Sequence, residues 1–236
     1  MWRIALFLIL SFTAFGDDVH PTLALGSPAP AFSLMGIDGK VHTLADYSKS
    51  KVLVIVFTCN HCPTAQLYES RIKKLASDYR NKNVTLVAIQ PNNPDAIRLD
   101  ELGYTDVSDS FEDMKTRAAY RHFDFPYPYD GETQSVSLKY GPKATPHVFI
   151  FDQDRKLRYE GRVDNSQRES LVKTQDARNA IEELLAGKPV AVPHTGVFGC
   201  STKWKSKEIT RLEELKKIEA EPVTVTMASA DDLKKL

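Results

Sequence analysis

Short apolar runs separated by polar turn segments make up most of this chain, and they predict a sheet flanked by helices. The run 52–57 is apolar throughout and rich in branched side chains, which is typical of a strand buried on both faces. From Pro63 to Tyr79, apolar residues recur at steps of three or four, which predicts an amphipathic helix. Further strands are predicted at 84–89, 148–151 and 157–161, and further helices at 112–120, 133–140, 175–186 and 207–219. The resulting order β-α-β-α-α-β-β-α predicts the α/β fold class.

The two ends of the chain differ from its middle. Residues 1–16 have a basic start, a short apolar run and small residues before two aspartates, which predicts a secretory signal peptide. Residues 17–187 are expected to form the main domain, 188–222 an arm and a charged helix, and 223–236 the start of a further domain. We therefore expect a mature protein without a membrane span, located in the periplasm or secreted.

Composition narrows the range of partners. Among 236 residues, 31 lysines and arginines balance 31 aspartates and glutamates, so the net charge is zero. A neutral chain offers no electrostatic case for binding nucleic acid. Hydrophobic residues at 42% and charged residues at 26% describe an ordinary folded protein.

The three cysteines carry the candidate chemistry. Cys59 and Cys62 enclose Asn60 and His61 at the junction between the first predicted buried strand and the helix that follows. Unpaired N–H groups at a helix start stabilise a thiolate, and a protonated His61 would act in the same direction, so we expect lowered cysteine pKa values. A structural disulfide and half of a zinc site are alternatives, but no second Cys or His pair at ligand spacing is present. No metal or cofactor is expected.

The position of this tetrad, together with Thr145 and Pro146 just before the strand at 148–151, resembles the thioredoxin superfamily. More closely, the chain is similar to bacterial redoxin-domain proteins related to alkyl hydroperoxide reductase and thiol-specific antioxidant proteins. The matching segments are 29–34, 57–63, 109–111, 125–127 and Gly199-Cys200 with Lys203-Trp204. The resemblance implies a thioredoxin-like fold, with a central mixed sheet flanked by helices, an N-terminal hairpin and a C-terminal extension. It also implies a cis Pro146 that faces the cysteine pair.

By this resemblance, the chain is expected to be a thiol–disulfide oxidoreductase. Cys59 would be the nucleophile and Cys62 the resolving thiol, while His61 and Asn60 would set the redox potential. Thr145 and Pro146 would line the groove where a substrate strand docks. The expected partners are protein or small-molecule disulfides and thiols, with the redox partner left open.

Two other functions compete with disulfide exchange. The related peroxidases place a Pro and a Thr seven and three residues before the attacking cysteine. This chain has Val52 and Val56 at those positions before Cys59, which disfavours a peroxidase. Copper carriage would use Cys59 and Cys62 with His147, because thiolates and imidazole suit copper(I).

Two further features are left open by the sequence. Cys200 could be a buried inert thiol, a link to another chain or a third redox cysteine. The segment 92–108 is expected to be a surface loop outside the minimal fold.

Overall fold

The structure is a computed structural model that describes residues 20–102 and 107–220. The predicted signal peptide at 1–16 and the predicted further domain at 223–236 lie outside the described residues. Within the described ranges, no helix is both long enough and apolar enough to cross a bilayer.

The elements follow the predicted order with short additions. In chain order the strands are β1 (Ser33–Met35), β2 (Val41–Thr43), β3 (Val52–Phe57), β4 (Val84–Ile89), β5 (Ala144–Thr145), β6 (His147–Phe151), β7 (Leu157–Gly161) and β8 (Cys200–Ser201). The α-helices are α1 (Pro63–Tyr79), α2 (Leu99–Leu102), α3 (Phe111–Arg121), α4 (Ser137–Tyr140), α5 (Asp176–Leu185) and α6 (Glu208–Ala220). The predicted strands and the helices at 63–79, 112–120, 175–186 and 207–219 are thereby confirmed within one residue or two at each end.

The central sheet has the strand order β4-β3-β6-β7. Strand β3 is parallel to β4 and antiparallel to β6, which in turn pairs antiparallel with β7. Because side chains alternate along a strand, β3 supplies both cores: Val54 packs with the helices α1, α3 and α5, whereas Ile55 packs on the opposite face. This burial on both faces explains why β3 is apolar throughout and confirms the mixed sheet with flanking helices.

The N-terminal hairpin implied by the resemblance is present as β1 and β2, which pair antiparallel. Leu34 of this hairpin packs in the second core beside Phe32 and Tyr47. The hairpin therefore closes the face of the sheet opposite α1.

The helix predicted at 133–140 is shorter than expected. The buried Asp130 carboxylate accepts hydrogen bonds from the amides of Val136 and Ser137, so the helix starts only at Ser137. Gly141 ends the helix in the left-handed conformation, with a φ of 62°.

The sequence predicted a surface loop at 92–108, but the start of this segment after β4 is buried, while residues 98–100 are exposed. Asn92 is fully buried, and Asn93 and Ala96 are nearly so. The Asn93 side chain donates to the carbonyl of Gly131, and its backbone amide donates to the carbonyl of Lys203. These buried amides need partners inside the protein, which ties the segment to the sheet end where β3 leads into α1.

The arm at 188–199 runs along the outer edge of the sheet. The Glu160 amide on β7 donates to the carbonyl of Pro193, and the Thr195 amide donates to the carbonyl of Glu160. Strand β8 then pairs antiparallel with β5, with Cys200 opposite Thr145. The arm therefore packs as part of the domain.

Candidate redox site

Cys59 and Cys62 lie where β3 leads into α1. Cys62 is the residue that caps the start of α1, and Pro63 occupies the first turn. Both cysteines are free and buried, with exposed fractions of 2% and 0%. The predicted strand-to-helix junction is confirmed, and the unpaired amides of the first turn favour a negative charge beside Cys62.

Thr145 contacts both cysteines from the opposite side. Its hydroxyl oxygen lies 2.9 Å from the Cys59 sulfur, and its carbonyl oxygen lies 3.5 Å from the Cys62 sulfur. The peptide bond between Thr145 and Pro146 is cis, as the resemblance implied. Thr145, which the sequence assigned to a substrate groove, therefore touches the cysteine pair directly.

Cys200 joins the same site from the far end of the chain. Its backbone amide donates to the Cys62 sulfur at 3.2 Å, and its side chain packs on the cluster of Cys59, Cys62 and Ala65. Unlike the other two cysteines, Cys200 is partly exposed. The structure therefore places this partly exposed thiol beside the cysteine pair.

The expected substrate groove is occupied by the chain itself. Thr145 and Pro146 are both buried, and β8 lies along the edge of β5. The strand position predicted for a docked substrate is thus taken by residues 200–201.

Asp109 organises the turn between the two cysteines. Its Oδ1 accepts from the backbone amides of Asn60 at 2.8 Å and His61 at 3.0 Å. Its Oδ2 lies 2.6 Å from Nδ1 of His61 and accepts from the Asn92 side chain at 2.7 Å. Because Asp109 is fully buried, these four contacts replace the water that its carboxylate would otherwise bind.

Asn92 connects this carboxylate to the C-terminal segment. Its side-chain oxygen accepts from the backbone amide of Lys203 at 2.9 Å. The Lys203 ammonium group in turn forms a partly buried ion pair with Glu101 on α2. Asp109 and Lys203 stood in the segments that carried the resemblance, but nothing in the sequence assigned a role to them or to Asn92.

The three sulfurs share their hydrogen bonds unequally. Cys62 accepts hydrogen bonds from the side chain of Cys200, the side chain of Cys59 and the Cys200 amide. Together these donors outweigh the effect of burial and lower the pKa of Cys62. Burial and the hydrogen bond to Cys62 raise the pKa of Cys59. The hydrogen bond to Cys62 likewise raises the pKa of Cys200. The lowered pKa expected from the sequence therefore applies to Cys62 and is wrong for Cys59, because Cys62 is where the donors converge.

His61 is held as a hydrogen-bond partner of Asp109. Burial disfavours the charged imidazole, but the hydrogen bond and the charge of Asp109 outweigh burial and raise the pKa of His61. Its other ring nitrogen, Nε2, is buried without a hydrogen-bond partner among the described residues.

The sulfurs do not share a site with His147. Nε2 of the His147 ring lies 2.7 Å from a carboxylate oxygen of Glu160. Nδ1 accepts a hydrogen bond from the backbone amide of Lys143 at 3.2 Å. Both nitrogens are thus occupied, which removes the imidazole ligand that copper carriage required. Donor atoms of Cys59, His61 and Asp109 lie within 4.8 Å of one another, but the hydrogen bonds of Asp109 already satisfy its carboxylate.

The sheet order, the cysteine pair at the start of α1 and the cis proline opposite it define a thioredoxin-like protein. The family model described as Redoxin matches residues 24–181. The chain belongs to the redoxin family, and this membership supports an oxidoreductase. No curated protein matches the chain.

Solved structures agree with this assignment. An uncharacterised conserved protein from Geobacillus kaustophilus is 38% identical, with a TM-score of 0.68 over 77% of this chain and 93% of that one. A hypothetical protein from Sinorhizobium meliloti 1021 is 31% identical, with the same TM-score over 79% of this chain and 97% of that one. A protein described as the thiol:disulfide interchange protein DsbE from Chlorobium tepidum shares the fold, at 19% identity and a TM-score of 0.51 over 70% of this chain and 98% of that one.

Proposed function

We propose that this protein is an extracytoplasmic thiol–disulfide oxidoreductase whose redox centre is the pair Cys59 and Cys62. The observation that carries the proposal is the contact of both sulfurs with Thr145, beside a cis proline and at the start of α1. A thiolate is the nucleophile of disulfide exchange, and this site collects hydrogen-bond donors around one sulfur.

The exchange proceeds through one negative charge shared by the pair. As the Cys59 sulfur attacks a disulfide, its proton passes to the Cys62 thiolate, one bond forms to Cys59 and one substrate thiolate leaves. The leaving thiolate takes the proton back from Cys62. The restored Cys62 thiolate then attacks Cys59, forms the Cys59–Cys62 disulfide and releases the second substrate thiolate. Two electrons have passed to the substrate, and the total charge is unchanged.

The extracytoplasmic location rests on the sequence of residues 1–16. An oxidising compartment suits a protein whose cysteines cycle between thiol and disulfide. The substrates in this proposal are protein or small-molecule disulfides and thiols.

The test is the reduction of a model disulfide, such as insulin, by dithiothreitol with the purified protein as catalyst. The native protein is expected to accelerate the reaction. Cys62→Ser is expected to abolish the acceleration, and Cys59→Ser is expected to lower it. Ser77→Ala, on the exposed face of α1, serves as the control that keeps the native rate. A native protein that leaves the rate unchanged, or a Cys62→Ser protein as active as the native one, would contradict the proposal.

A further inference from the structure

Strand β8 lies where a thioredoxin-like protein would receive its substrate. It pairs antiparallel with β5 and sets Cys200 opposite Thr145, whose hydroxyl and carbonyl contact Cys59 and Cys62. Strand addition at an exposed edge is a general way to bind an extended peptide. Here the added strand is part of the same chain, and it brings a cysteine.

The close approach of β8 depends on Gly199. This residue has a φ of +136°, and a Cβ added to it would lie 1.9 Å from the carbonyl oxygen of Thr145. Only glycine has no side chain to collide there. Next to β8, the Thr202 hydroxyl donates to the carbonyl of Pro142 at 2.6 Å, which fixes the register of the pairing.

The three cysteines differ in access to solvent. Cys59 and Cys62 are 2% and 0% exposed, whereas Cys200 is partly exposed and packs on both of them. With β8 in place, a disulfide or thiol arriving from outside meets Cys200 first.

From this arrangement, and resting on the function proposed above, we infer that Cys200 is a third exchange thiol. It transfers the disulfide between the buried pair Cys59–Cys62 and thiols or disulfides outside the protein. In this view β8 is an internal substrate strand.

The transfer is an isomerisation without net oxidation. The Cys200 sulfur attacks Cys62 in the Cys59–Cys62 disulfide, so that a Cys62–Cys200 bond forms and the bond to Cys59 breaks. Cys59 leaves as a thiolate beside the Thr145 hydroxyl, and it takes up the proton that Cys200 gives away. An outside dithiol then attacks the accessible Cys200, resolves its own mixed disulfide and leaves the protein reduced by two electrons. The reverse sequence passes those electrons to an outside disulfide.

Peptide mapping after mild oxidation tests the bond between Cys62 and Cys200. Trypsin places Cys59 and Cys62 in the peptide 52–71 and Cys200 in the peptide 179–203. In Cys59→Ser treated with diamide, we expect these two peptides to be joined by a disulfide within a monomer. In Cys200→Ser, we expect the internal disulfide of peptide 52–71.

The two variants separate the inference from the proposed function. If Cys59→Ser keeps both thiols while Cys200→Ser closes its disulfide, the inference is overturned and the exchange function stands. If Cys200→Ser fails to close the Cys59–Cys62 disulfide, the proposed function falls and the inference falls with it.

Exchange rates test whether β8 transfers the disulfide or merely covers the site. We expect Cys200→Ser and Gly199→Ala to slow the oxidation of the reduced protein by glutathione disulfide at least about tenfold. Gly196→Ala is the matched control in the same segment, because a Cβ there meets no atom within 4 Å. Equal or faster oxidation in Cys200→Ser would show that β8 only shields the pair, which would overturn the inference.

Discussion

The imidazole nitrogen Nδ1 of His61 lies 2.6 Å from Oδ2 of Asp109, and neither side chain is more than 1% exposed. The same carboxylate holds the two backbone amides that lie between Cys59 and Cys62. The position of the cysteine pair therefore depends on a carboxylate that comes 47 residues after Cys62 in the chain (109 − 62 = 47).

Replacing Asp109 by Asn is expected to destabilise the protein by about 3 kcal/mol, because a buried donor would then face other buried donors. Chemical unfolding monitored by tryptophan fluorescence gives this free energy. Asp154→Asn, in the exposed turn before β7, should change it little. Equal stability in the two variants would show that Asp109 does not hold the turn.

The His61 pair makes stability depend on pH. Because the pKa of His61 is raised in the folded protein, its contribution is fully present below about pH 6.5 and is lost as the pH rises through the folded pKa. The destabilisation caused by His61→Gln should thus be larger near pH 5.5 than near pH 8.5. Unfolding free energies of both proteins at the two pH values give the comparison. A larger loss at the higher pH would mean that His61 is neutral in the fold.

The reduced protein should carry a thiolate at Cys62. Because Cys200 and Cys59 donate to its sulfur, the pKa of Cys62 is lowered, and thiolate absorbance near 240 nm should persist well below about pH 8.5. Cys200→Ala removes a donor and should shift this titration to higher pH, whereas Ser201→Ala should not. If Cys62→Ser retains the low-pH absorbance, the charge lies on another sulfur.

Removal of the His147 ring should leave copper(I) affinity unchanged, because both of its nitrogens are hydrogen-bonded to protein groups. Competition with a chromophoric copper(I) chelator compares His147→Gln with the native protein, and Cys59→Ser provides a variant that lacks a sulfur ligand. A tenfold or larger loss of affinity in a folded His147→Gln protein would favour the copper carrier over disulfide exchange.

Local pattern was enough to predict most elements of the fold. The runs that became β3 and β4 are buried on both faces, and the spacing after Pro63 matches the buried face of α1. The helix α4 was predicted too long, because Asp130 holds the amides at its start. That contact between side chain and backbone leaves no trace in hydrophobic spacing.

The site was predictable only in its local part. Cys59, His61 and Cys62 lie within one four-residue segment. The position of Thr145 and Pro146 beside this segment followed from the resemblance. The roles of Asn92 and Asp109 depend on distant contacts, and Cys200 reaches Cys62 across 138 residues. Such contacts depend on how the arm packs along β7, which no short window of sequence records.

The recognised family region ends at residue 181, before the arm begins. A protein shortened at residue 187 would keep the whole central sheet and both cysteines of the pair. It would lack the strand that covers Thr145 and the Lys203 backbone amide that donates to the Asn92 side chain. A chimera between this protein and a relative must therefore transfer residues 188–204 together with the region that precedes them. The structural unit that has to stay intact is larger than the recognised family region.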